Sequence, residues 1–407
     1  MEALCHNKPE AWCCSTGQTG RLRYKLTSCS VDRPPHRPRQ IDGMTLRYYI
    51  TPTLVVVLVC LIYVSGVLIS AGGDPLAFAV LGTRFSEGDP QGTEGYDGQF
   101  AYQIALRPLA AVPYLDVPAY RYQRILYPML ARLLALGRPE LIPWSLILVN
   151  LAAIGLGTWA TERLLVDLGA SRWYALVYGL YGAQLLALRA DLNEPLAQAL
   201  VMWAMLAWAR ERRWLAVLAF SLAALAKETA LVFLAAYMLY TLQRRAWRWT
   251  VALGVAAVPF AAYQLLLWSW LGDFGVGSGG AGATPFSLVP LGGWLEIAGV
   301  DVNAFMLISL IVVPLSVLPA VAGLFLSLRD LGRGESHPFL FCLLLHGILI
   351  LFLPNSTFRE PAAMLRLTQG LVVSMLLYGA LRRSSRVLNY STLWVVANVL
   401  LVKGVAG

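Results

Sequence analysis

Across residues 53–71, and again across residues 249–271, the chain carries no charged side chain. A helix needs roughly 20 apolar residues to cross the hydrocarbon core of a bilayer. Lipid offers no water to satisfy a backbone, so such runs must be helical. The rest of the sequence has the same character: 58% of its 407 residues are hydrophobic and only 14% are charged, more apolar surface than a water-soluble domain covers with polar groups. The expectation is an all-α polytopic membrane protein.

The formal net charge of +9 does not form one basic face of the kind that grips nucleic acid. It is broken into short clusters between apolar runs: Arg33, Arg37, Arg39 and Arg47; Arg210, Arg212 and Arg213; Arg244, Arg245 and Arg248; Arg329 and Arg333; Arg382, Arg383 and Arg386. Positive loops mark the cytoplasmic side, and these clusters fall in register if the N-terminus is cytoplasmic. That register supports about 11 transmembrane helices, in a range of roughly 9 to 12, over residues 50–71, 142–162, 173–189, 196–209, 214–226, 228–242, 249–271, 303–328, 338–353, 361–381 and 387–403. Two long outer loops result, residues 72–141 and 272–302, within one transmembrane domain over 47–403. Inside the first loop, residues 125–136 are apolar but too short to span, as in a helix lying at the interface. The second contains the Gly-rich stretch GVGSGGAGATP, read as a flexible loop able to order over a ligand.

Residues 1–46 are polar and lack the apolar core of a secretory signal. They read as a disordered cytoplasmic leader, or as an over-extended start with Met44 as the true initiator. Four of the six Cys lie in this leader without zinc-site spacing, and they are read as reduced thiols. His337 and His346 are assigned to packing, and Trp144, Trp173 and Trp294 to interfacial anchoring.

Charges also interrupt apolar sequence. Residues 214–243 hold only Lys227 and Glu228 between flanking Arg clusters. Cytoplasmic placement of both clusters requires a hairpin with its apex at that pair, below the outer surface. The preceding runs meet at Arg189, Asp191, Asn193 and Glu194 in the same way. A third cluster runs from Asn355 through Arg359, Glu360 and Pro361 to Arg366. Intramembrane charges are costly and so are functional candidates, though mutual pairing that merely holds helices together would also account for them. In the first outer loop, Asp97 precedes an amphipathic stretch, where it either caps a helix or serves a site. Nearby Tyr120, Arg121, Tyr122 and Arg124 supply cations and aromatic rings suited to headgroups, to sugars or to an interfacial belt.

These residues carry a resemblance. Glu94-Gly95-Tyr96-Asp97-Gly98-Gln99-Phe100 with Ile104-Ala105, then Tyr120-Arg121-Tyr122-Gln123-Arg124-Ile125-Leu126-Tyr127-Pro128, then Ala226-Lys227-Glu228-Thr229 and Phe358-Arg359-Glu360-Pro361, resemble the GT-C superfamily of membrane glycosyltransferases. The likeness is to bacterial mannosyltransferase-like or cell-surface glycopolymer proteins with a YDGQF-type first loop, and it covers roughly residues 45–385. It implies sugar transfer, with inversion, from a polyprenyl-phosphate donor to a glycan or lipid acceptor at the outer face of the bacterial inner membrane. The acidic residue of the first loop acts as base in that family, and Asp97 is the position that matches, with Glu94 as helper.

The residue chemistry is compatible with this. A carboxylate within reach of an acceptor hydroxyl lowers the barrier by taking its proton. A departing lipid phosphate needs fixed cations, which Lys227, Arg359, Arg366 and Arg124 could supply, with Glu228, Tyr96 and Gln99 as further substrate contacts. Glu94 and Asp97 admit a divalent cation without establishing a site, and there is no Walker loop, dinucleotide fingerprint or HExxH motif. The rival readings are a lipid-linked sugar transporter or flippase, against which the one-sided charges and absent repeat argue, and a noncatalytic glycopolymer assembly factor.

Overall fold

A computed structural model describes residues 50–398. The leader over 1–46 and the last part of the expected 387–403 span lie outside the described residues. Within them the chain is helical throughout, without a strand. Five helices are long and apolar enough to cross a membrane: Pro52–Ser70, Pro139–Asp167, Trp247–Leu271, Val302–Gly332 and Pro361–Leu381. Shorter apolar helices, Glu194–Ala209, Arg213–Ala226, Ala230–Gln243 and Pro338–Leu351, complete the bundle.

Glu194–Ala209 packs between Ile142–Asp167 and Arg213–Ala226, while Pro338–Leu351 packs against Ala230–Gln243, Leu318–Gly332 and Pro361–Leu381. Peripheral and central helices differ in what they expose. Along Pro52–Ser70 the buried residues Val56, Cys60 and Val64 form one stripe at four-residue spacing, and Leu54, Leu58, Ile62 and Ile69 face outward. Along Pro361–Leu381 every residue from Thr368 to Ala380 is buried. Apolar faces this extensive on the outer helices would be a liability in water and are what a lipid solvent requires. His346 is buried, its Nδ1 2.8 Å from the carbonyl of Cys342 and its ring against Phe233, and His337 caps Pro338–Leu351.

The expected spans need four corrections. The run over 173–189 is not one helix: Ala175–Gly179 ends before Tyr181, whose extended backbone starts Gly182–Arg189. Pro259 and Pro314 lack the N–H a helix interior needs. They break Trp247–Leu271 at Ala257 and force a wide turn at Val313–Val317 inside Val302–Gly332. Beyond residue 384 the described chain forms two short helices, Ser385–Ser391 and Leu393–Val396. The second loop is only partly irregular, since Gly292–Val300 is helical and Asp301 caps the helix that follows.

The expected hairpin is present. The helix breaks at Lys227, whose backbone is extended, and the arms fold back so that the Phe220 and Tyr237 rings lie 5.1 Å apart. In the first loop, Leu126–Leu134 buries Tyr127, Pro128 and Ala131 and leaves Leu133 exposed, as an interfacial helix would.

Candidate functional site

Asp97 immediately precedes helix Gly98–Leu106, but it does not cap it. Its backbone is already helical (φ −53°, ψ −29°) and its side chain makes no capping hydrogen bond. Its carboxylate is instead ion-paired on both oxygens, with Arg366 Nη1 at 2.7 Å and Arg121 Nη1 at 3.0 Å. The other edge of the Arg366 guanidinium donates through Nε to Glu194, and the same Glu194 oxygen accepts from Lys227 Nζ. One continuous network therefore joins the first loop, the two charged helix junctions and the tenth expected span.

Two bidentate pairs flank it. Asp116 takes Arg121 Nε and Nη2 at 2.6 Å each, and Glu228 takes Arg124 Nε at 3.0 Å and Nη2 at 2.7 Å. Arg121 also lies 4.2 Å from the centre of the Phe100 ring. The Gly-rich segment is tied across this assembly: Ala281 N–H donates to Asp116, and Thr284 N–H donates to Ser356 Oγ. A cavity of about 220 Å³ lies beneath, lined by Asp97, Tyr120, Arg121, Arg124, Lys227, Gly280, Ala281, Thr357, Glu360 and Arg366 among others. Beyond the Asp97–Arg366 pair is a second lobe of about 30 Å³, room for one water, reached by Asp191 and Asn193.

Two features of sequence make this possible. Gly98 lets the loop tip lie directly on the 190–193 turn, for a Cβ there would sit 1.9 Å from the carbonyl oxygen of Ala190. Asn193 then ties that turn to the hairpin apex by donating to the carbonyl of Ala226. Gly98→Ala is expected to push the tip off the turn, costing about 1–3 kcal/mol of stability and displacing Asp97. Thermal unfolding of the purified variant measures the cost, and a wild-type midpoint would show that the contact is not required.

Electrostatics separate the two aspartates. Burial alone would raise the Asp97 carboxyl, but Arg366 and then Arg121 outweigh it and hold the group well below the usual carboxylate range. Asp191 is fully buried, sits in a left-handed conformation (φ 47°) and has no hydrogen-bond partner on either oxygen among the described residues. Burial pushes its carboxyl well above the usual range, with Arg189 opposing. A raised folded-state pKa contributes stability that is present below about pH 4, the unfolded value, and is lost as pH rises toward the folded one. Asp191→Asn should therefore flatten the pH dependence of unfolding above that point and match or exceed wild-type stability at neutral pH. A variant as pH-sensitive as the wild type would refute the assignment.

No family model, curated protein or solved structure matches this chain. The chemistry of the site rests on its own side chains.

Of the residues singled out from sequence, Asp97, Lys227, Arg124 and Arg366 line the cavity. Glu228 stands behind Arg124 and orients it. Tyr96 is half-buried with its hydroxyl 3.5 Å from Glu360, and burial raises it to about 12, so it remains a phenol. Three residues are placed elsewhere. Glu94 is exposed and paired with Arg84 at 2.7 Å. Gln99 is buried and structural, accepting from Gly82 N–H and donating to the carbonyl of Glu94. Arg359 ends the short helix Asn355–Arg359, is exposed, and lines neither lobe.

Nor do Glu94 and Asp97 suit a divalent cation, since arginines occupy both Asp97 oxygens and Glu94 turns to Arg84. Among the described residues no three His, Cys, Asp or Glu side chains gather as a cation set. Sequence reasoning marks Arg121 as a cation near the membrane surface but not as a partner of Asp97, and it passes over Asp116 and the partnerless state of Asp191. Nothing local in the sequence marks any of the three.

Proposed function

We propose that the chain is a glycosyltransferase of the bacterial inner membrane. It crosses the bilayer about eleven times with its N-terminus cytoplasmic, and moves a sugar from a polyprenyl-phosphate donor to a glycan or lipid acceptor on the non-cytoplasmic side. The observation that carries this reading is a carboxylate, Asp97, released from helix capping and held between two guanidinium groups at a cavity that Arg124 and Lys227 also line. The 14-residue hairpin arms rise only about 21 Å each, short of the roughly 30 Å hydrocarbon core. Lys227 would therefore sit below the membrane surface, at the cavity that the donor phosphate enters in this reading.

In the proposed reaction the acceptor oxygen bonds to the anomeric carbon as the bond from that carbon to phosphate oxygen breaks. The electron pair leaves with the polyprenyl phosphate, the anomeric centre inverts, and the acceptor proton passes to Asp97. A carboxylate held this far below its usual range is a weak base. The donor phosphate relieves this by competing for Arg366 and Arg121, which loosens their hold on Asp97 and raises its basicity only when the donor is bound. Arg124 and Lys227 remain to stabilise the charge that develops on the leaving phosphate.

The test is transfer of labelled sugar by the purified chain in liposomes, offered a panel of polyprenyl-phosphate sugars with mixed acceptors. New glycan product supports the enzyme. Movement of a lipid-linked sugar across the bilayer with no product would replace this reading with the flippase.

A further inference from the structure

At the far end of the bundle a second polar cavity is built from the C-terminal turns of two helices. Arg366, in the site above, and Arg382, at the end of Pro361–Leu381, are sixteen positions apart on one helix, about 24 Å along its axis. Around Arg382 lies a groove of about 470 Å³ lined by Arg329, Arg333, Arg382 and Arg386 against only two acids, Asp330 and Glu335. Those acids are already engaged. Asp330 accepts from Arg329 Nε at 2.9 Å, Tyr378 Oη at 2.8 Å and Arg382 Nε at 2.9 Å, and Glu335 takes Arg382 Nη1 at 2.6 Å. Arg333 and Arg386 form no ion pair among the described residues, so the groove holds two arginines that its own carboxylates do not neutralise.

We infer that this groove is a binding site for a phosphate-bearing anion, and that its occupant is the headgroup of an anionic membrane lipid. Asp330 and Glu335 preset Arg329 and Arg382, so little side-chain freedom is lost on binding, and Arg333 with Arg386 supply the unspent charge. The wall of the groove selects the lipid over a soluble phosphate. Leu326 and Val387 line it, and the exposed residues Leu318, Val321, Phe325 and Leu328 run at three- and four-residue spacing along the same helix that delivers Arg329. An acyl chain can follow that apolar track to the arginines; a free phosphate has no use for it. Basic pockets between helices at the positively charged side of a membrane protein are suited to such headgroups.

The experiment titrates the purified, delipidated full chain with phosphatidylglycerol, phosphatidylcholine and inorganic phosphate, reading bound molecules by native mass spectrometry. Wild type is compared with the Arg333→Gln, Arg386→Gln double variant. Both positions are exposed, so the variant should fold; the charge-reversed Arg333→Glu, Arg386→Glu pair provides a second test. One phosphatidylglycerol held about thirtyfold more tightly by wild type, two surface cations' worth, with no such difference for phosphatidylcholine, supports the lipid site. Preferential loss of inorganic phosphate in the variants, with no preference for phosphatidylglycerol, keeps the anion site and makes its occupant soluble. Equal retention of phosphatidylglycerol and phosphate by wild type and both variants overturns the proposal. None of these outcomes depends on sugar transfer.

Discussion

Asp97→Asn is expected to lower glycosyl transfer by about 10²- to 10⁴-fold, the usual contribution of a positioned general base, with little change in donor affinity. The asparagine amide is nearly the same size and its oxygen still accepts a hydrogen bond, so the loop tip should keep its place on the 190–193 turn. It cannot take a proton, and without its charge it no longer competes with the donor phosphate for Arg121 and Arg366. The donor KM should therefore hold steady or fall while kcat collapses. Both arginines lose a partner, so some loss of stability accompanies either role; a purely structural Asp97 would leave kcat of the folded variant unchanged. Equal kcat in both proteins, measured with a donor and acceptor pair that the wild type uses, would move the base elsewhere.

Arg366→Gln should be the most destabilising single change at the site. Arg366 is about nine-tenths buried and bridges Asp97 to Glu194, whose side chain is 1% exposed. Removing one partner of a buried ion pair leaves uncompensated charge and typically costs about 3–5 kcal/mol. Lys227 still faces Glu194, which places the expected loss toward the lower end of that range. Arg366→Lys should recover part of the stability and little of the transfer, because an ammonium cannot present two donor edges to two carboxylates. Neutralising the orphan as well, in Arg366→Gln with Glu194→Gln, should lose less stability than the sum of the two single changes. Denaturation of the purified proteins in detergent checks all three. A single variant within experimental error of wild type would mean that the network carries no net stability.

The YDGQF stretch drew attention to Asp97, yet the sequence left two readings open, a helix cap and a site residue. The reason is physical: a carboxylate before a helix is compatible with both, and only the positions of Arg366 and Arg121, separated from it by 269 and 24 residues, distinguish them. Glu94 shows the reverse error. It is close to Asp97 in sequence, but the turn at Gly95 (φ 69°) sends its carboxylate to Arg84. Arg359 falls in the same sequence cluster as Arg366, but the chain breaks at Glu360 and restarts at Pro361, which separates the two side chains.

What the sequence determined alone was the all-helical, apolar character of the chain and most of its long helices. Charge-free apolar runs can be solvated only as helices in lipid, and the breaks at Lys227 and near Glu194 were legible as charges inside apolar sequence. The tertiary structure alone decided which charges share a cavity. Pairing across more than a hundred residues, the contact of Gly98 with Ala190, and the isolation of Asp191 depend on how helices stack, and stacking is set by side-chain shape on faces whose composition is uniformly apolar.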